Sequence, residues 1–581
     1  MRRLPPLLIT LLFVSGSLSA QQIMFPPVRG TKEMVAAANN FEVEAGFRVL
    51  AAGGNAVDAG VASTLAAAVT EQARFGLGGE MPLIITMKGK PPIVISGVGT
   101  APKLATVDYY TKRKAEFWEE DDRKVPIPGE GIRAAILPGV MDGLLLALQK
   151  YGSKSFAEVA QPAIEYAEGF PIGEEFSTFI RNGERLLAGW PTSKKFFLPN
   201  GEAPAAGTMM RMPDLAKTLR ELATAEKKTR GNRAKKIQAV RDYFYRGPIA
   251  QKIAKFSEEN GGLIRFEDLK GFSAIEDTPR TTTYRGYTIV KPGFWTQGPV
   301  MLQALNILEG FDLKAMGHNS PALLHTEIEA VNLAFADRDA HYGDPLFSKI
   351  NEKLLLSKEY AAERRKLINP DKADMGSRPG KVAEEHNNVQ DTTCVNVVDR
   401  FGNAFNATPS GAWLPSVIAG DTGIPLSGRL QSFVLTKGHA NELAPGKRPR
   451  VTLSPTTVLK PDGSLHFVMS TPGGDNQDQA MLQVLINLID FGMGPQQAVE
   501  APRFQTEHFY SSFAHHEFVP GRLRVEGRVS RSVIEALRAK GHMVTPSGDW
   551  SNGSAPTVIL LKDGILDGGA DPRRLRFIFG R

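Results

Sequence analysis

The chain has 581 residues, 42% of them apolar and 23% charged, with a formal net charge of +7. Those values exclude a disordered polyelectrolyte and a collagen-like repeat, and they fit one large α/β unit or several smaller ones. A single cysteine, Cys394, rules out an internal disulfide and any zinc site built on several thiolates.

Arg2 and Arg3 precede the apolar run Leu4 to Val14, and the small residues Ser15, Gly16, Ser17, Ser19 and Ala20 follow. That order predicts a secretory signal over 1–20 and a periplasmic or secreted mature protein. The run is shorter than the ~20 residues a span needs, and no later stretch reaches that length without charges, so no membrane span is expected after signal removal. From Phe41 onward, Ala45, Val49 and Ala52 fall at helical spacing, and Val57, Val61 and Leu65 continue a stripe beyond Gly53-Gly54. Leu83 to Thr86 and Ile93 to Ser96 read as strands. Residues 103–133 are polar and read as a surface excursion. Lys227 to Lys236 is strongly basic but carries no aromatics, so it predicts a solvated helix face or loop and not a nucleic-acid partner. Leu324, Ile328, Val331 and Phe335 mark another helix, ending near Asp337 to Asp339, whose carboxylates read as structural.

The character changes near residue 375. Gly376 to Gln390 is polar and aperiodic, a mobile loop by composition. It runs into T-T-C-V-N-V-V-D at 392–399, where Val395 and Val397 share one strand face and Cys394 and Val398 the other. Phe401-Gly402-Asn403 then predicts a hairpin turn back through Ala404 to Ala407. Cys394 reads as a small apolar strand residue. Leu465 to Ser470 is a further strand, followed by Thr471-Pro472-Gly473-Gly474 and a helix from Gln477 to about Phe491, with Met481, Val484, Leu485 and Leu488 inside. Two glycines at such a junction can aim backbone N–H groups into one concavity suited to an oxyanion, or can form a plain turn.

Other chemistries find little support. There is no G-x-S-x-G elbow and no Walker-type loop, and Gly76-Leu77-Gly78-Gly79 lacks dinucleotide spacing. His508, His515 and His516 match no familiar ligand set, so no metal is expected. A threonine hydroxyl is a weak nucleophile inside a chain. Cleavage of the bond before it creates an α-amine of pKa roughly 7.7–8.0 that can take its proton. Thr392 offers the strand start and the removable segment, and Gly473-Gly474 could supply oxyanion donors. Many strands begin with threonine, so these residues alone leave an ordinary strand start open.

A dozen ordered segments then resemble the γ-glutamyltransferase (γ-glutamyltranspeptidase) family over nearly the whole mature chain. They run from E-A-G-F-R-V-L-A-A-G-G-N-A-V-D-A (44–59) through T-A-P (100–102), F-Y-R-G (244–247), N-I-L-E-G-F-D-L (306–313), E-A-V-N-L-A-F-A-D-R-D (329–339) and Y-G-D-P (342–345). T-T-C at 392, L-S-P-T (453–456), P-G-G (472–474), L-I-D-F-G-M (488–493), A-P-R-F (501–504) and A-D-P-R-R (570–574) complete the set. The resemblance implies an α+β protein, a four-layer αββα sandwich of the N-terminal-nucleophile hydrolase fold. It also implies an inactive precursor that cuts itself between Asp391 and Thr392. The products would be a large portion, 21–391, and a small portion, 392–581, held as a heterodimer. Thr392 maps to the family nucleophile, Gly473 and Gly474 to its oxyanion-hole glycines, and Ser410 to a threonine that hydrogen-bonds the nucleophile. No cofactor is implied, and the partner is a small-molecule amide, by family default a γ-glutamyl compound such as glutathione.

The departures concern substrate. The family's R-E-T-A-P, whose arginine grips an α-carboxylate, reads Val98-Gly99-Thr100-Ala101-Pro102 here. Its N-N-x-M-D-D-F, whose last aspartate holds an α-amine, reads Ser427 to Phe433, with Ser432 at that aspartate and Arg429 as a new cation. Its paired serines fall at Val451 and Thr452, and its asparagine after the nucleophile hairpin at Ala412. Arg429, Ser432 and Thr452 are therefore the candidate substrate-binding residues, and Arg429 could hold a different carboxylate. Losing both charge partners sets an alternative close behind the γ-glutamyl default, a cephalosporin-acylase-like or oxamate-amidohydrolase-like amidohydrolase acting on another carboxylate-bearing amide. A non-catalytic binding relative is the remaining class, which an uncut precursor would favour.

Overall fold

The computed structural model describes residues 23–115, 125–379, 392–513 and 515–581. The expected signal at 1–20, residues 380–390 of the polar loop, and Asp391 lie outside them. Among the described residues no helix is long and apolar enough to cross a membrane.

Two antiparallel seven-stranded sheets organise the chain. The first runs Phe577–Gly580, Met34–Ala37, Val395–Val398, Ala404–Ala407, Met81–Thr86, Ile93–Gly97, Ile275–Asp277. The second runs Val28–Gly30, Ile565–Ala570, Thr557–Lys562, Leu465–Ser470, Thr456–Leu459, Tyr287–Lys291, Arg280–Tyr284. Period-two alternation sends each strand's side chains into two different cores. Val395, Val397, Phe405 and Ala407 enter a core shared with the helices Asn40–Ala51, Ala56–Thr70 and Val140–Tyr151. Val398 and Ala404 face the other way, and meet Val290, Val468 and Ile559 of the second sheet. That sheet's outer residues Val458, Phe467 and Met469 pack on the helices Pro299–Leu308, Pro321–His341 and Gln477–Ile489. Helix, sheet, sheet, helix is the αββα sandwich that the resemblance implies. Each fully buried valine in these layers contributes roughly 1.5–3 kcal/mol.

The strand Val395–Val398 sits at the centre of the first sheet, between Met34–Ala37 and Ala404–Ala407. The hairpin closes as expected: Gly402 takes φ 82°, and the Asp399 side chain accepts from the Phe401 and Asn403 amides. Polar side chains stitch the two sheets together. Asn396 donates to Thr557 Oγ1 at 2.8 Å and accepts from Ser470 Oγ at 2.9 Å, while Asn406 donates to the Thr456 carbonyl at 2.7 Å.

Two expectations need amending. The Val57, Val61, Leu65 stripe is no special face, because every residue of Ala56–Thr70 is buried between the first sheet and its neighbouring helices. The 103–133 region is not all surface: Tyr110 and Ile127 reach the core between the sheets, and Ile132 the helical core. The helix marked by Leu324 ends near Asp337 to Asp339 as expected, at His341. Lys227, Lys228, Arg230 and Lys235 are exposed around the junction of two helices, Pro213–Lys228 and Arg233–Tyr245, as a solvated basic run should be.

A small sheet of Phe504–Thr506, Arg522–Glu526 and Met543–Ser547 packs on one end of the Pro321–His341 helix through Leu324, Ile328, Leu523 and Val525.

Candidate active site

The regular strand begins at Val395, but its extended path starts earlier. Thr392 forms an antiparallel bridge with Ser410, and the Thr393 amide donates to the Pro409 carbonyl at 3.0 Å. Ser410 bridges on its other side to Glu80, exchanging backbone bonds of 2.9 Å in both directions. Three segments distant in sequence thus lie abreast, Thr392 beside Ser410 beside Glu80. The Gly78-Gly79 pair permits this approach, since a Cβ on Gly79 would stand 2.1 Å from the Ser410 carbonyl oxygen.

The side chains continue the row. Thr392 Oγ1 lies 3.3 Å from Ser410 Oγ, and Arg429 Nη2 donates to that same Ser410 oxygen at 3.0 Å. The arginine occupies a lone pair of Ser410, and either hydroxyl can donate in the threonine–serine contact. Arg429 is itself fixed, with Nε donating to Glu80 Oε1 at 2.6 Å and its guanidinium over the Trp413 ring at 4.6 Å. Ser427 Oγ donates to the other Glu80 oxygen at 3.0 Å. The pair is almost fully excluded from water, Arg429 at 1% and Glu80 at 0% side-chain exposure. Such a pair adds little net stability yet is costly to break.

An amide also reaches the threonine. Gln477 Nε2 donates to Thr392 Oγ1 at 3.1 Å. A donor aimed at a hydroxyl oxygen favours its deprotonated form. Gln477 opens the helix Gln477–Ile489, and the preceding turn holds Gly473 at φ 122° and Gly474 at φ 55°. A Cβ on Gly473 would stand 2.1 Å from Ser554 Oγ, so only glycine fits. Among the described residues, neither glycine amide bonds a backbone carbonyl outside its own helical turn. Both stand at a helix start, where the peptide dipoles favour negative charge.

Buried ion pairs brace this turn. Asp475 pairs with Arg338 and accepts from the Ser512 amide at 2.9 Å. Burial works to raise that carboxyl, but Arg338 and Ser512 outweigh it and hold it below the usual carboxylate range. One helical turn on, Asp478 pairs with Lys291 at 2.7 Å and accepts from Ser454 Oγ at 3.1 Å. Burial there raises the aspartate and lowers the lysine, opposed in each case by the partner's charge.

The candidate substrate residues are all buried. Arg429 is not the open cation that the sequence suggests, because Glu80 already holds its Nε; its Nη1, however, has no hydrogen-bond partner among the described residues. Ser432 Oγ and Thr452 Oγ1 are likewise buried without a hydrogen bond. Val98, at the family's arginine position, is fully buried between the sheets. Ala412 keeps a left-handed φ of 56°, which asparagine tolerates better than alanine. Cys394 is buried against Thr557, its Sγ 3.8 Å from the hydroxyl, and burial pushes its thiol up.

Sequence reasoning missed Glu80 and Gln477 as members of the site. Glu80 directly follows the glycine run at 76–79, which lacks dinucleotide spacing, and Gln477 follows the Gly473-Gly474 junction with two residues between, so adjacency to both motifs was the available signal. His508 and His516 spend both ring nitrogens on local bonds and do not converge with each other.

A buried threonine hydroxyl at the head of a central strand, flanked by a hydroxyl, an amide and a glycine turn, belongs to the N-terminal-nucleophile hydrolase class that the αββα layers define. The family model described as gamma-glutamyltranspeptidase matches residues 43–579. The chain is 34% identical over 577 residues to the glutathione hydrolase proenzyme of Escherichia coli K12, covering 96% of this chain and 93% of that one. It is also 34% identical over 552 residues to the acylase ACY 1 proenzyme of Pseudomonas sp. V22, covering 94% and 92%. The crystal structure of a cephalosporin acylase from Bacillus halodurans superposes with a TM-score of 0.84 at 28% identity, covering 97% of this chain and 99% of that one. The chain belongs to the gamma-glutamyltranspeptidase family.

Proposed function

We propose that this protein is an exported, self-processing amide hydrolase in which Thr392 is the nucleophile for both its own maturation and substrate turnover. In maturation, Thr392 Oγ1 attacks the Asp391 carbonyl, the bond to the Thr392 nitrogen breaks, and water hydrolyses the resulting ester. This frees an α-amine beside the hydroxyl and leaves the 21–391 and 392–581 portions as a heterodimer. In turnover, that amine takes the hydroxyl proton while Thr392 Oγ1 adds to the substrate amide. The Gly473 and Gly474 N–H groups hold the oxyanion, and the proton passes to the departing amine. Water then releases the acyl group. The observation that carries this reading is the convergence of Ser410 and Gln477 on Thr392 Oγ1.

For the acyl group we favour a single carboxylate without an α-ammonium. Val98 and Ser432 stand where a zwitterionic head would need Arg and Asp, while Arg429 Nη1 and the Ser432 and Thr452 hydroxyls supply neutral donors and one cationic one. The likeness to a glutathione hydrolase keeps γ-glutamyl compounds as the second reading. Processed enzyme should be offered a γ-glutamyl anilide beside glutaryl and oxamate-type amides. Preferential turnover of the latter supports the first reading, and turnover of the γ-glutamyl compound alone overturns it. A leader-dependent periplasmic or culture-medium fraction tests export.

A further inference from the structure

A separate polar cluster lies where the Pro321–His341 helix meets the small three-stranded sheet. His325 and Glu329 are one helical turn apart on the same face. His542, just after Gly541 (φ 103°), comes against them from the start of the strand Met543–Ser547. All three are buried, at 1%, 2% and 4% exposure.

We propose that His325, Glu329 and His542 form a divalent-metal site, fitted to zinc. One atom from each, a ring nitrogen or a carboxylate oxygen, lies within 4.8 Å of the others. His325 Nε2 is 2.8 Å from the Asn369 carbonyl oxygen and must donate to it, so His325 Nδ1 carries a lone pair. That lone pair points at His542 Nε2, 2.8 Å away. Glu329 Oε2 accepts from the Asp374 amide at 3.3 Å, but Oε1 is buried with no hydrogen-bond partner among the described residues. In the metal-free protein, one proton on His542 Nε2 is all that fills the gap between the rings. A dication in its place binds both ring nitrogens and gives Glu329 Oε1 the partner it lacks.

The electrostatics agree. Burial, helped by His325, His508 and Lys540, pulls His542 down to about 3 and so keeps it neutral and able to ligate. Burial, with the Asp374 charge beside it, pushes Glu329 up to about 7 against the pull of the Asp374 amide and Arg378. A bound cation relieves the second without disturbing the first. Two imidazoles and a carboxylate suit zinc better than calcium or magnesium, which take oxygen sets. The Asn369 carbonyl holding the far side of His325 is the outer support that zinc-bound imidazoles use. Zinc–nitrogen bonds of ~2.0–2.1 Å place tetrahedral ligands roughly 3.3 Å apart, so the rings part slightly and Glu329 closes in. His508, nearby, spends Nδ1 on the Gly521 amide and Nε2 on the Gly376 carbonyl, which leaves the fourth position to water.

Two ligands precede position 392 and one follows it. If the maturation reading is right, the ion ties the two products together; that consequence rests on the cleavage proposal, whereas the site does not. Full-length protein without an affinity tag should be stripped with chelator and titrated with cobalt(II), alongside Glu329→Gln, His542→Gln and the Thr392→Ala precursor. The expected result is one equivalent per chain, with visible bands of a low-coordinate nitrogen–oxygen site that zinc displaces. Thr392→Ala should bind equally whether or not it is cut. Each ligand variant should bind at least about 100-fold more weakly. If His542→Gln does not fold, the near-isosteric Glu329→Gln decides. Wild-type protein that takes up no stoichiometric ion, or a Glu329→Gln protein that binds as well as wild type, overturns the proposal.

Discussion

The two ends of the candidate active site are built differently. At the nucleophile end, Thr392, Ser410, Arg429 Nε, Glu80 and Gln477 Nε2 form an unbroken hydrogen-bonded row. At the acyl end, Arg429 Nη1, Ser432 Oγ and Thr452 Oγ1 are buried polar atoms with no hydrogen-bond partner among the described residues. Each such orphan is unfavourable by about 1–3 kcal/mol unless water or a ligand meets it. The first end is preorganised before any substrate arrives. The second is completed only by what binds there. The division matches the family likeness, which is retained at the nucleophile and altered around the acyl group.

The most severe way to break this contrast is to remove the hydroxyl at its centre. Thr392→Ala should leave one uncut chain and lower turnover by a factor on the order of 10⁴ or more, since nucleophile losses are of that size. Wild-type protein should show fragments of roughly 40 and 21 kDa, prorated by length from 63.2 kDa. A denaturing gel reads the cut and an amide assay reads the rest. Turnover that survives the substitution would end the nucleophile assignment.

Next in size is the oxyanion turn. Gly473→Ala forces a methyl against Ser554 Oγ at a φ of 122°. We expect kcat to fall about 10²–10³-fold on processed protein, as for the loss of one oxyanion donor. The backbone strain adds about 1–3 kcal/mol of destabilisation, read by thermal unfolding. Lost stability with unchanged kcat would mean that the turn only braces the helix.

Breaking the buried pair tests where the two ends join. Arg429→Gln strands Glu80 without its counter-charge and should lose about 3–5 kcal/mol of stability. The double variant Glu80→Gln/Arg429→Gln should regain most of that, yet stay impaired on carboxylate-bearing amides through a raised KM. Full recovery of KM in the double variant would make Arg429 a structural residue with no part in substrate binding.

Much of the nucleophile end was legible from sequence because its signals are local. The alternation over 395–398, the Phe401-Gly402-Asn403 turn and the Gly473-Gly474 junction each lie within a few residues. Pairings between distant positions, at either end, were less so. Arg429 reads as an open cation because its partner, Glu80, is 349 positions away, and Gln477 stands 85 positions from the hydroxyl it touches. No periodicity encodes such pairings. The all-round burial of Ala56–Thr70 escaped for a related reason: an alanine-rich helix carries too little contrast to mark one face.

The mildest test concerns Cys394, two residues from the nucleophile yet outside the hydrogen-bonded row. Its side chain points between the sheets toward Thr557, is fully buried, and has a thiol that burial pushes upward. A raised thiol pKa means that the thiolate, the reactive form, is scarcer at neutral pH than in a free cysteine. Native protein should therefore resist a thiol reagent that labels it fully once unfolded. Cys394→Ala removes one buried sulfur, for about 1 kcal/mol of stability, and should keep turnover within roughly threefold of wild type. Rapid labelling of folded protein, with activity lost in step, would place the cysteine within reach of the site and erase the boundary drawn here between the nucleophile row and the layer beneath it.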